Sequence, residues 1–175
     1  MIIVFTGPPL AGKGTQAQLL SKQLSLPLIS IGTLLRENEG KGYEQYAMQG
    51  KNLPTELKFG LLSEKMDQCL DGFILENFPA TKDDLMALVD YLEKHSLKID
   101  VVFHITISEE EMKKRMVSRG RIDDTDEIVM KRRKLQTLDR EPVVDYFREL
   151  GILTEVSGDG SIEEVQEKIQ EVISR

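Results

Sequence analysis

Residues 1–16, MIIVFTGPPLAGKGTQ, constrain this chain more than any other stretch. Ile2 to Phe5 is an unbroken run of β-branched and aromatic residues, the pattern of a strand buried on both faces. It breaks at Gly7 into Pro8-Pro9-Leu10-Ala11-Gly12-Lys13-Gly14-Thr15, which fits the G-x-x-x-x-G-K core of a phosphate-binding loop. Ala17, Leu20 and Leu24 then recur at helical spacing. A helix entered through such a loop aims its unpaired N–H groups and the positive end of its dipole at whatever the loop holds. Gly7 and Gly12 let the backbone wrap an anion closely, and Lys13 brings an ammonium to the β- and γ-phosphates. One detail departs from the general motif: Gly14 follows the lysine, and the hydroxyl comes one place later at Thr15. This context predicts a chain that binds a nucleoside triphosphate.

Beyond the loop, short apolar runs alternate with amphipathic segments, the order that gives a parallel sheet covered on both faces. Strands are predicted at 27–31, 73–76, 101–107 and 152–156. Gly32 to Glu39 reads as a helix capped by Ser30 or Thr33, and Pro54 starts another that carries Leu57, Leu61, Leu62 and Met66. Thr81 to His95 places Leu85, Leu88, Val89 and Leu92 on one face. Ser108 with Glu111, and Ser161 with Glu164, form capping boxes for two more helices, the last buried through Val165, Ile169, Val172 and Ile173. The expected fold is α/β, a P-loop NTPase-like three-layer αβα arrangement with a five-stranded parallel sheet. Its ligand cleft should lie at the carboxyl ends of the strands.

Length and composition narrow the rest. A chain of 175 residues suits one domain. No apolar run approaches the ~18 residues of a membrane span, and the apolar start lacks a basic leader, so Ile2 opens a strand and no membrane partner is expected. The single cysteine, Cys69, excludes an internal disulfide and suits the reducing cytoplasm. His95 and His104 have no partner at ligand spacing, so no structural zinc is expected. A net charge of −7 argues against nucleic acid and anionic membranes as partners.

One span of this acidic chain is basic: Arg115, Arg119, Arg121, Lys131, Arg132, Arg133 and Lys134. Arg115 and Arg119 share a helix face with Met112 and Met116 nearby. Arg121 follows Gly120 in a loop, and Asp123-Asp124-Thr125 caps a longer helix. On that helix Ile128, Arg132 and Leu135 fall in one apolar stripe, so Arg132 must find a partner or face a cleft, whereas Arg133 is solvated. The cluster is either a solvated basic surface or a set of guanidinium groups closing over a transferring phosphoryl group, whose charge spreads over several oxygens. His104, inside a strand pattern, reads as a core or edge histidine and not as a catalytic base.

These motifs together resemble the adenylate kinase family of nucleoside monophosphate kinases, across nearly the whole chain. GPPLAGKGTQ is similar to that family's loop with Gly-Thr after the lysine, and ISIGTLLRE to its I-S-T-G-D-L-L-R segment. GKNLPTEL resembles the segment that backs the acceptor base, and FILENFPA resembles F-I-L-D-G-F-P-R. RGRIDDTDE followed by Arg132 resembles the closing lid, here in its short form, and the loop Gly158-Asp159-Gly160 resembles the one that packs on the donor adenine. The resemblance implies a single nucleotide-kinase domain over 1–175, with an acceptor-binding insertion about 30–53 and a short lid about 119–126. It implies transfer of the γ-phosphoryl group of ATP to a nucleoside monophosphate, AMP by default, with Mg²⁺. A monomer without nucleic-acid or membrane partners is expected. ATP would be bound by Leu10, Ala11, Gly12, Lys13, Gly14, Thr15, Arg115, Arg119, Gly158 and Gly160. The acceptor would be bound by Ile31, Arg36, Lys51, Leu53, Asn77, Phe78, Arg121 and Arg132. Lys13, Arg119, Arg121 and Arg132 would be catalytic, and Mg²⁺ would be held through water by Glu76, with Thr15 as a further contact.

The departures fall on the acceptor side. Ile31 and Thr33 stand for the family's Thr and Asp, Glu76 for an aspartate, and Asn77 for a glycine. Ala80 stands for an arginine expected on the acceptor's α-phosphate, and Asp84 for a glutamine that would read adenine. Losing one such guanidinium contact costs about 1.5–3 kcal/mol, one to two decades of binding. The residues leave open whether an arginine from elsewhere, such as Arg140, takes its place. Two other readings stand beside the kinase: a phosphotransferase with a different acceptor, and a P-loop nucleotide-binding protein with weak or no turnover.

Overall fold

In the computed structural model, residues 1–38, 40, 43, 46, 53–119 and 126–174 are described, with 118, 119 and 126–136 described in their backbone alone. In chain order these residues form β1 (Ile2–Thr6), α1 (Lys13–Leu24), β2 (Leu28–Ser30), α2 (Ile31–Glu37) and α3 (Thr55–Met66). Then come β3 (Phe73–Glu76), α4 (Lys82–Lys94), β4 (Val101–Thr106), α5 (Glu109–Arg119), α6 (Asp126–Glu149), β5 (Leu153–Ser157) and α7 (Ile162–Ile173). The five strands make one sheet in the order β2-β3-β1-β4-β5, and every pairing is parallel. Among the described residues no helix is long and apolar enough to cross a membrane.

β1 lies at the centre, with Val4 in register with Leu75 on β3 and Val102 on β4. All five of its residues are buried, because alternate side chains go to opposite faces and both faces are covered. On one face Ile2, Val4, Phe73, Leu75 and Val102 pack against Leu62, Met66, Leu85, Leu88, Val143 and Phe147 of α3, α4 and α6. On the other, Ile3, Phe5, Ile74, Phe103 and Ile105 meet Ala17, Leu20, Met112, Met116, Val165 and Ile169 of α1, α5 and α7. Truncating one of these fully buried rings, as in Phe5→Ala, should cost about 3–5 kcal/mol. From β1 the chain runs to β2 on one side, and from β3 it crosses to β4 on the other. The crevice where the order reverses therefore opens at the carboxyl end of β1.

Several boundaries move. Ile31 is the first residue of α2 and not the last of a strand, because Ser30 turns its hydroxyl onto the Thr33 N–H (3.4 Å) and starts the helix there. Pro54 is the N-cap of α3, and Thr81 and His95 flank α4 as its caps. The Ser161–Glu164 capping box forms in full. The Ser108 box forms by half. The Ser108 hydroxyl accepts from the Glu111 N–H (3.2 Å), but the Glu111 carboxylate turns to the Arg115 Nε (2.9 Å), a stronger charge-assisted bond. The Ser108 N–H is taken instead by Asp159 (3.0 Å), and this bond holds the Asp159 carboxyl below its ordinary range.

Candidate active site

The glycine loop sits where β1 ends. Gly7, at φ +140°, has no room for a side chain, since a Cβ there would lie 2.1 Å from the Ile105 carbonyl of β4. Leu10 is left-handed at φ +65°, a conformation that persists in a non-glycine residue only where its surroundings impose it. α1 begins beyond Gly12 with no side-chain cap and no acidic residue in its first turn, which suits an anion in that place. Lys13 is 7% exposed, and its Nζ donates to the Pro8 carbonyl (2.7 Å), closing a ring across the mouth of the loop. Gly14 would meet nothing within 4 Å if it carried a Cβ, and Thr15 beside it is exposed.

A second loop is packed onto the first. The Gly158 N–H donates to the Thr106 carbonyl (2.8 Å), and a Cβ on Gly158 would lie 2.5 Å from the Ala11 carbonyl. Arg115 ties the two loops together. Its Nη1 donates to the Leu10 carbonyl (3.3 Å), and its Nη2 to the carbonyls of Gly158 (2.6 Å) and Gly160 (3.5 Å). Leu10, Ala11, Gly12, Lys13, Arg115, Gly158 and Gly160 are thereby brought together at one end of the sheet.

The acceptor side is less simply arranged. Arg36 is exposed on α2 and donates to Thr33 Oγ1 (2.9 Å). Ile31 and Leu53 are buried, and Phe78 is fully so, its ring near those of Phe59 (6.2 Å) and under the Lys58 ammonium (5.9 Å). Glu76 accepts from the Ser30 hydroxyl (2.6 Å) at the end of β3. Asn77 follows in the left-handed region at φ +61°, which asparagine tolerates better than most residues. A cavity of 560 Å³ opens between Leu53 to Thr55, Thr81 to Asp83, and Leu138, Asp139 and Pro142 of α6. Lys51 and Arg121 lie outside the described residues. So do the side chains of Arg119 and Arg132, and with them most of the expected insertion and the lid.

Asp84 is placed differently from a base-reading residue. It is completely buried, ion-paired with the Lys58 ammonium, and accepts from the Thr55 hydroxyl (2.6 Å) and the Ala80 N–H (3.0 Å). Its carboxylate is consumed in joining α3 to α4. Lys58 escaped the sequence reading although a signal exists: it stands four residues before Leu62 on an otherwise buried stripe, where a cation requires a partner. Arg140 carries the same signal, with Val143, Val144 and Phe147 buried beyond it at helical spacing.

His104 on β4 is held neutral. Burial, followed by the charge of Arg140, pulls its pKa down to about 4, with Glu155 opposing and Lys13 adding to the fall. Among the described residues no cluster of His, Cys, Asp or Glu is suited to hold a metal by itself. Mg²⁺ asks for less, one or two carboxylates beside the phosphates it neutralises, and Glu76 offers one at the head of the crevice.

The family model for adenylate kinase matches residues 5–152. The chain is 39% identical over 173 residues to the adenylate kinase of Mycolicibacterium smegmatis, with 94% of each chain covered. It is 33% identical over 214 residues to that of Archaeoglobus fulgidus, covering 100% of this chain and 99% of the relative. A relative from Leptospira biflexa, also an adenylate kinase, is 32% identical, with 95% and 96% covered.

Proposed function

The chain belongs to the adenylate kinase family, and from that premise we infer that it transfers the γ-phosphoryl group of ATP to AMP, leaving two molecules of ADP. The observation that carries this reading is the nest at the end of β1, where Lys13 closes a glycine loop at the uncapped start of α1. An oxygen of the AMP phosphate attacks Pγ, and the bond from Pγ to the β–γ bridging oxygen breaks. The attacking oxygen is already anionic, so no general base is needed, and the protein's work is positioning and charge stabilisation. A neutral His104 accords with that.

In this reading Lys13 follows the charge on the β- and γ-phosphates, while Leu10, Ala11, Gly12, Gly14 and Thr15 line the polyphosphate. Arg115 holds the donor loops in register, so that Gly158 and Gly160 can pack on the adenine. Arg119, Arg121 and Arg132 close over the transferring group. Ile31, Arg36, Lys51, Leu53, Asn77 and Phe78 shape the acceptor side of the crevice. Mg²⁺ would supply charge neutralisation at the phosphates, and Glu76, through water, and Thr15 are the residues that would hold it. All of these residues come from one chain, so the reaction asks for no partner subunit.

A second reading, in which another monophosphate is the preferred acceptor, draws support from Asp84, whose carboxylate is occupied by Lys58 and Thr55. The test is ADP formation from ATP across AMP, CMP, UMP and GMP. AMP should be the best acceptor, and Lys13→Met should lower kcat by at least about 10²-fold with a near-native fold. Turnover that no monophosphate stimulates, or that survives Lys13→Met, would overturn the reading.

A further inference from the structure

Arg140 is 3% exposed on α6, within the stripe that Val143, Val144 and Phe147 continue into the core. Its Nη2 donates to Asn77 Oδ1 (3.2 Å). Asn77 is the first residue past β3, and its own N–H donates to the Phe5 carbonyl (2.9 Å), so the guanidinium sits over the junction of β1 and β3. Asp139 next to it, then Glu76 and Asp84, support its charge, and the Asp84 carboxylate is bonded to the Ala80 N–H. Burial lowers the Arg140 pKa to about 10, which leaves it a cation at neutral pH.

The surroundings are those of a polar ligand and not of a plain core. Burial, then the charge of Arg140, keeps the nearby His104 neutral. Thr6 and His104 are register partners on β1 and β4, and their side chains share a sheet face. Thr6 Oγ1 and His104 Nδ1 are both buried with no hydrogen-bond partner among the described residues. Groups of that kind are costly unless something supplies the missing bond. Ala80, buried in the same neighbourhood, has no side chain that could reach an anion.

We propose that Arg140 holds the phosphate of the acceptor monophosphate, supplying from α6 the guanidinium that Ala80 does not provide. This rests on the kinase reading. It deepens that reading by answering which arginine takes the place of the one missing at Ala80. Asn77 then has a definite task, orienting the guanidinium through its side-chain carbonyl.

The experiment compares Arg140→Gln with the unaltered protein in KM for AMP, KM for ATP, and binding of AMP against adenosine by titration calorimetry. Arg140→Gln should raise the AMP KM about tenfold to a hundredfold and shrink the preference for AMP over adenosine as much, as expected for one charged bidentate contact. ATP KM should stay within about twofold, a split that a general loosening of α6 would not produce. Adding Ala80→Arg to Arg140→Gln should recover part of the AMP affinity. If Arg140→Gln does not fold, Arg140→Lys keeps the charge without the fork, and the same fall in the AMP-to-adenosine ratio is expected. An unchanged ratio in the folded variant overturns the proposal, as does an equal loss for AMP and ATP. If the unaltered protein binds AMP but turns none over, the kinase reading fails while the ratio still decides the role of Arg140.

Discussion

Lys58→Met removes the cation beside a carboxylate that has no access to water. Asp84 is 0% exposed and Lys58 4% exposed, so solvent screens neither charge. Removing one member of a buried pair costs about 3–5 kcal/mol, because the other charge stays behind uncompensated. Asp84 keeps its bonds from the Thr55 hydroxyl and the Ala80 N–H, which places this variant near the lower end, at about 3 kcal/mol. Asp84→Ala sits higher, since Lys58, Thr55 and the Ala80 N–H all lose their acceptor at once. Lys58→Met combined with Asp84→Asn removes both charges but leaves an amide oxygen for the Ala80 N–H, and it should recover most of the loss. Urea unfolding and thermal unfolding at neutral pH measure all four proteins. For a domain of this size the single change should lower Tm by about 6–12 °C with m unchanged. A loss under about 1 kcal/mol for Lys58→Met, or a double variant no more stable than Lys58→Met alone, would refute the argument that the pair is held by mutual neutralisation.

Three other outcomes are expected. Gly158→Ala should raise the ATP KM well above the AMP KM, because its Cβ would meet the Ala11 carbonyl at 2.5 Å and must push the two donor loops apart; equal changes in both would speak against that packing. His104 binds a proton in the folded state only near pH 4, whereas the unfolded chain binds it below about 6.5. The unfolded state therefore holds more protons between those values, and stability falls as pH drops through that window. His104→Gln should flatten the slope there, and an imidazole that titrates near 6.5 by NMR would contradict its burial. Arg132→Ala should depress kcat far more than Arg133→Ala, with equal small losses meaning that the basic span is only a solvated surface.

What the chain discloses about itself is what neighbouring residues decide. The run Ile2 to Phe5, the glycines of the loop and the spacing of Ala17, Leu20 and Leu24 are all local, and the strand, loop and helix they foretell are present. Boundaries slip where two local preferences compete. Ile31 is β-branched and extends an apolar run, yet the capping hydroxyl of Ser30 claims it for a helix. Glu111 satisfies the capping-box pattern, but Arg115, one turn on, is a stronger partner for its carboxylate. The two buried cations of the acceptor side, Lys58 and Arg140, stand on apolar stripes, yet the chain alone does not say what meets them. The partner of Lys58 lies 26 residues away and that of Arg140 lies 63 away, on elements that only the sheet order brings close. A stripe says that a charge needs company; it does not say whose.

That distinction changes how the departures at 80 and 84 should be weighed. Read along the chain, Ala80 is a cation lost at the expected acceptor phosphate and Asp84 an anion gained where the adenine would be read, so the two together argue for a damaged site. In space each is answered. Lys58 comes from α3 and cancels the charge of Asp84, and the pair fastens α3 to α4 beside Ala80. Arg140 comes from α6, reaches Asn77 and remains charged where β1 and β3 end. Lys58 offsets the charge of Asp84, and Arg140 contributes positive charge beside that pair. The altered acceptor motif and the unexpected buried cations are then one rearrangement, in which the charge recognising a phosphate has moved from the turn after β3 to the helix that crosses over it. Restoring Ala80→Arg alone should accordingly gain little, because it sets a second guanidinium beside the first.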